Sequence, residues 1–126
     1  MKMTALHLPR SAWFIFAGLF MAFILYTSTQ PAPHIQGVNP SLVDHALDFA
    51  HFPVYSFLTL LLILAFGFEI HFQVLALVVV ILFGALNEFV QMGTPGRSCS
   101  VKDEIVNILG ALLTIFCLHI FRKKSA

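Results

Sequence analysis

This sequence contains few charged residues. Charged residues make up 10% of its 126 residues, whereas 59% are hydrophobic and the mean hydropathy is +0.90. Soluble domains usually carry about 25% charged residues. This composition indicates a membrane protein, and a formal net charge of +1 implies neither a nucleic acid nor an acidic partner.

Cysteine and recognisable catalytic motifs are also scarce. Cys99 and Cys117 do not make a disulfide framework, and along one helix they would lie ~27 Å apart, too far to pair. The sequence contains no Gly-x-Ser-x-Gly, no His-Glu-x-x-His and no Walker loop. Whether the chain is an enzyme is therefore left open.

Four long apolar segments are each able to cross a bilayer as a helix, which takes about 20 residues. These segments are 11–29, 47–68, 72–92 and 101–121. They contain solid apolar blocks instead of the alternation of barrel strands. We therefore predict one all-α domain over residues 1–126, a bundle of four transmembrane helices.

The first segment has an alternative interpretation as a secretory signal, because Lys2 and Arg10 precede it. No Ala-x-Ala cleavage site follows, and the segment is long for a signal core. These features favour a retained span.

Basic residues cluster at the two ends of the chain, before the first span and after the last. They are Lys2, Arg10, Arg122, Lys123 and Lys124. Since basic residues concentrate on the cytoplasmic side, both termini are predicted to be cytoplasmic. This requires an even number of spans, which four satisfies. Segments 30–44 and 93–100 would then face outward.

Two local patterns predict helix starts. Asn39 followed by Pro40 has the form of an N-cap and a first helical residue, so the second helix is expected to begin near Ser41. Ser100, three residues before Asp103, predicts a capping box at the start of the fourth helix.

Polar residues recur at spacings of three and four along the last three spans, which places each set on one helix face. The sets are Asp44, Asp48, His51 and Tyr55; Gly84, Asn87, Glu88 and Gln91; and Ser100, Asp103, Asn107, Gly110 and Thr114. A carboxylate at mid-span costs about 2.5–3.5 kcal/mol, so Glu88 is expected to face protein or water. Gly84 and Gly110 permit close helix approach.

We therefore predict an outward-opening polar pocket. It is lined by His51, Glu88, Gln91, Asp103 and Asn107, with Arg97 and Lys102 at its rim. Glu88 and Asp103 are candidates for acid and base, and His51 for a proton shuttle. Arg97 and Lys102 are candidates for a phosphate or carboxylate clamp, with Gln91 and Asn107 as further binding groups.

Histidine with carboxylates can also bind a divalent metal. That signal is not specific, and neither a metal nor another cofactor is assigned from the sequence.

Each candidate also has a structural interpretation. Asp103 can be a helix cap, Gln91 and Asn107 can hold helices together, and His51 can be a packing residue. Glu88 can be neutralised by Arg97. What favours a functional site is that three stripes end at one depth.

The ordered motifs resemble the VanZ-like family. They are Thr27-Ser28-Thr29-Gln30-Pro31, His51-Phe52 with Tyr55 and Leu58, Asn87-Glu88 with Gln91, Pro95-Gly96-Arg97, and Asp103 with Asn107 and Gly110. Two positions depart from the family pattern. Asn87 stands where an aspartate is common, and Asp48 stands where a lysine is common, three residues before the histidine.

The resemblance implies a compact four-helix protein of the bacterial inner membrane. The family's name comes from an accessory factor in teicoplanin resistance, which implies a connection to the cell envelope but supplies no reaction. Two functions follow. One is binding or processing of an anionic envelope component, such as a lipid-linked headgroup, and the other is a structural or accessory role in scaffolding or transport.

Overall fold

Four helices make up the fold in the computed structural model, which describes residues 8–125. They are α1 (Arg10–Ser28), α2 (Pro40–Phe66), α3 (Ile70–Met92) and α4 (Val101–Ser125). Each is long and apolar enough to cross a membrane, and the described residues contain no strand. The predicted all-α architecture of four spanning helices is confirmed. Lys2 lies outside the described residues, and the orientation of the termini stays a prediction.

The ends of α2 follow from local sequence. The side chain of Asn39 accepts a hydrogen bond from the Ser41 N–H at 3.0 Å, and Pro40 is the first helical residue, which confirms the predicted start. The helix ends at Phe66 because Gly67 takes a φ of 132°, a conformation open to glycine. As a result, α3 begins at Ile70, two residues before the predicted span.

Helix α2 is the centre of the bundle. It packs against each of the other three helices, α3 also packs against α1 and α4, and α1 does not pack against α4 within the described residues. The buried core consists of apolar side chains such as Leu58, Ile63, Val80 and Ala111. Large apolar side chains cover the outer faces, as a lipid-facing surface requires. The half of the bundle towards the α2–α3 link is therefore sealed by apolar packing.

Helices α2 and α4 approach each other closely through small residues. The Ser56 hydroxyl donates to the Gly110 carbonyl at 3.0 Å, and the Thr114 hydroxyl donates to the Ser56 carbonyl at 3.0 Å. A Cβ atom on Gly110 would lie 2.5 Å from the Phe52 carbonyl oxygen. The predicted close approach at Gly110 is confirmed, and it brings the polar stripes of the two helices together.

Candidate functional site

The three polar stripes meet at one end of the bundle, beside loops 29–39 and 93–100, which we call the loop end. There, a ring nitrogen of His51 and one carboxylate oxygen each of Glu88 and Asp103 lie within 4.8 Å of one another. The three residues come from α2, α3 and α4 respectively. Glu88 is 3% exposed and Asp103 5%. We call this set the His51–Glu88–Asp103 cluster.

Glu88 fastens the start of α4 to α3. Its Oε2 accepts a hydrogen bond from the backbone N–H of Ser100 at 3.0 Å, whereas its Oε1 is buried with no hydrogen-bond partner. The predicted capping box is therefore wrong. In a capping box the Asp103 carboxylate would accept a hydrogen bond from the Ser100 N–H, but this N–H donates to Glu88. The Asp103 N–H donates to the backbone carbonyl of Ser100 and not to its hydroxyl.

Asn107 sets the orientation of the His51 ring. The Asn107 Nδ2 donates to Glu104 Oε2 at 3.1 Å, so its Oδ1 faces His51 Nδ1 at 3.0 Å. Because an amide oxygen only accepts, this network assigns the ring proton to Nδ1. The ring is also stacked on Tyr55, with centroids 6.0 Å apart. His51 Nε2 is left with a lone pair available to a ligand.

Arg97 carries a positive charge without a carboxylate partner. Within residues 8–125 the single ion pair joins His71 and Glu69 at the opposite end of the bundle. The Nε of Arg97 is buried and has no hydrogen-bond partner. Arg97 and Glu88 therefore do not form the ion pair that the sequence raised as a structural alternative.

Two adjoining pockets open at the loop end and share four lining residues, Leu47, His51, Gln91 and Arg97. The polar pocket has a volume of about 170 Å³. Its other polar lining residues are Asp44, Asp48, Ser98, Ser100 and Asp103. The apolar pocket has a volume of about 150 Å³. Its apolar lining residues include Phe23, Ile24, Leu47, Ala50 and Val54.

The structure brings most of the predicted site residues together. His51, Asp103, Arg97 and Gln91 line the polar pocket, while Glu88 and Asn107 lie behind its lining. Gln91 is also hydrogen-bonded to α1, with Nε2 3.3 Å from the Ser28 hydroxyl, and it is 4% exposed. Lys102 is exposed and lines none of the described pockets, so it does not form the predicted clamp with Arg97.

Two residues at the loop end had no assigned role in the sequence interpretation. The Ser28 hydroxyl donates to Asn87 Oδ1 at 2.6 Å, and its carbonyl accepts from the Thr94 hydroxyl at 3.0 Å. Glu104 accepts from Asn107. The helical spacing of three between Glu104 and Asn107 is a signal for that contact. Ser28 lies on a helix without a polar stripe, so only its presence in the resemblance motif pointed to it.

The comparison with known families agrees with this architecture. The family model described as VanZ/LLP1 matches residues 12–122 of the chain. No curated protein and no solved structure gives a match. The chain belongs to the VanZ/LLP1 family, and with four apolar helices it is a multi-pass membrane protein.

Proposed function

We propose that this member of the VanZ/LLP1 family binds an anionic component of the bacterial cell envelope at the loop end, from the outer side of the inner membrane. The observation that carries the proposal is Arg97. Its side chain lines both pockets, and among residues 8–125 no carboxylate pairs with it and its buried Nε has no hydrogen-bond partner. A phosphate or carboxylate group would satisfy this guanidinium with charge-assisted hydrogen bonds.

The shape of the site supports an amphiphilic ligand. Arg97 lies where the polar pocket meets the apolar pocket, and the apolar pocket extends along α1 and α2 towards Phe23 and Val54. A lipid-linked headgroup can therefore place its charge at Arg97 and its hydrocarbon chain beside these residues. The apolar core beneath the site supports access from one side only.

The cluster supports proton transfer on such a ligand. His51 has an Nε2 lone pair available, and one oxygen of Glu88 and one of Asp103 are buried without partners. A ring nitrogen of His51 and one carboxylate oxygen each of Glu88 and Asp103 lie within 4.8 Å of one another, and His51 and Asp103 line the polar pocket together with Arg97. In this proposal they act as acid and base on the bound headgroup.

Specific contacts also favour the structural alternative for part of the site. Gln91 and Asn107 are buried and make hydrogen bonds between helices, as residues that only hold a bundle together do. A purely structural role predicts that function falls only when the amount of folded protein falls.

Binding of an anionic lipid to purified protein in nanodiscs tests the proposal. We expect phosphatidylglycerol, but not phosphatidylcholine, to bind the loop end. Arg97→Ala should weaken binding about tenfold or more, since hydrogen bonds to charged groups are worth about 1.5–3 kcal/mol. Lys102→Ala removes an exposed charge nearby and should leave binding unchanged. Equal loss in both variants, or no loss in Arg97→Ala, would contradict the proposal.

A further inference from the structure

We propose that the His51–Glu88–Asp103 cluster binds a divalent transition-metal cation, Zn²⁺ or Mn²⁺. Three helices each contribute one ligand, a ring nitrogen and two carboxylate oxygens. The inference goes beyond the proposed function. With a cation bound, the three side chains are ligands instead of acid and base, and the cation can be measured without any lipid.

The spacing of the three ligand atoms fits a metal ion. Bonds to nitrogen and oxygen are about 2.0–2.2 Å for tetrahedral Zn²⁺, so two ligand atoms of one ion lie about 3.3–3.6 Å apart. The three atoms lie within 4.8 Å of one another. Closure by about 1.5 Å or less therefore completes the site, a movement that side-chain rotation can supply.

Each of the two carboxylates has one oxygen that makes no hydrogen bond. Glu88 Oε1 and Asp103 Oδ1 are buried and have no hydrogen-bond partner in the described part of the chain, and the two residues are 3% and 5% exposed. No lysine or arginine among residues 8–125 forms an ion pair with either. Buried unpaired carboxylates are costly, and coordination of a cation is one of the ways in which proteins compensate them.

The surrounding hydrogen bonds have the form found around bound metals. A metal-binding histidine usually donates its other ring N–H to a neighbouring acceptor, which fixes the tautomer and aims the free nitrogen. Asn107 Oδ1 accepts from His51 Nδ1, and Glu104 orients the Asn107 amide. The Ser100 N–H likewise donates to Oε2 of Glu88 and fixes the orientation of that carboxylate.

The ligand types select the cation. One imidazole favours Zn²⁺ or a similar first-row ion over Ca²⁺ and Mg²⁺, which take oxygen ligands, and the two carboxylates also suit Mn²⁺. The set has no thiolate, since Cys99 is exposed and outside the cluster, and this disfavours soft cations. Three protein ligands leave coordination positions open, and both His51 and Asp103 line the polar pocket.

A cation here also bears on the binding of an anion. The polar pocket is lined by Asp44, Asp48 and Asp103, and Arg97 is the one arginine or lysine in its lining. These carboxylates would repel a phosphate, whereas a divalent ion at the cluster would offset the charges of Glu88 and Asp103 and would offer the phosphate a coordination position beside Arg97. The metal and the guanidinium would then contact the same headgroup.

Metal titration of the purified full chain in detergent, after removal of metals with EDTA, tests the proposal. We expect one Zn²⁺ or Mn²⁺ per chain by isothermal titration calorimetry, with affinity at least about tenfold weaker in His51→Ala and Asp103→Asn. His71→Ala removes an exposed histidine beside Glu69 at the other end of the bundle and should bind as the parent does. Absence of binding in the parent, or equal affinity in the two cluster variants, would overturn the proposal.

A spectroscopic measurement covers the case in which a variant does not accumulate. Pulsed electron paramagnetic resonance of bound Mn²⁺ should show coupling to one imidazole nitrogen in the parent chain and in His71→Ala. Bound Mn²⁺ without nitrogen coupling in the parent would overturn the assignment to His51. The metal titration is run without lipid, and the lipid-binding assay with Arg97→Ala is run both with Zn²⁺ and with EDTA, so failure of the metal site and failure of the anion site are distinguishable.

Discussion

Replacing Asn107 with leucine should lower the free energy of unfolding by about 2 kcal/mol or more. The change removes the acceptor for His51 Nδ1 and the donor to Glu104, at a position that is 0% exposed. Each buried polar group left without a partner costs about 1–3 kcal/mol. Leucine is close to asparagine in length, so the loss comes from the hydrogen bonds and not from a cavity.

Thermal unfolding in detergent, followed by the helical circular dichroism signal, measures this effect. Gln30→Leu is the matched control, because it replaces an exposed amide whose hydrogen bonds stay within the end of α1. Its Tm should match that of the parent. If Asn107→Leu unfolded at the same temperature as the parent, the orientation of His51 by Asn107 would be contradicted.

Gly110→Val is expected to separate α2 from α4. Its Cβ would lie 2.5 Å from the Phe52 carbonyl oxygen, and a backbone atom cannot rotate out of the way as a side chain can. Overpacking of this kind typically costs about 1–3 kcal/mol. Phe52 follows His51 directly, so a shift of α2 also moves the ring away from the cluster.

A comparison with Gly18→Val isolates this effect. Nothing lies within 4 Å of a Cβ built at Gly18, on the exposed face of α1. We expect Gly110→Val to lower the Tm and to weaken metal binding, while Gly18→Val retains both. Similar behaviour of the two variants would mean that the α2–α4 contact does not position the site.

Much of the fold follows directly from the sequence. Apolar length and low charge predict four spanning helices. A helix of about 20 apolar residues is long enough to cross the bilayer, and it pairs its own backbone N–H and C=O groups there. The spacings of three and four also place His51, Glu88 and Asp103 on inward faces, as the structure shows. Periodicity is a property of each helix alone, so one sequence suffices to find it.

The partners of those side chains depend on how the helices are placed against one another. Glu88 bonds to the Ser100 N–H and not to Arg97, because the start of α4 lies against α3. Lys102 is adjacent to Asp103, and successive residues differ by about 100° around a helix. When Asp103 faces inward, Lys102 therefore faces outward, and the two-cation clamp does not form.

The two departures from the family pattern have structural consequences at the loop end. Asn87 accepts a hydrogen bond from Ser28 at 2.6 Å and is 0% exposed, so the amide connects α3 to α1. Asp48 lines the polar pocket together with Asp103. A carboxylate where a lysine is common increases the negative charge of this pocket, which favours a cation at the cluster.

The central claim is that the loop end is a working site and not only a contact between helices. A paired assay in cells tests it most directly, by measuring membrane abundance together with sensitivity to glycopeptides and to envelope stress. The variants are Glu88→Gln, Arg97→Ala and Asp103→Asn. In the first of these, the amide oxygen of the new side chain can still accept the Ser100 N–H bond that Glu88 makes. We predict loss of protection at unchanged abundance in all three. A phenotype that falls only in proportion to abundance would contradict the account and assign the polar residues to holding the helices together.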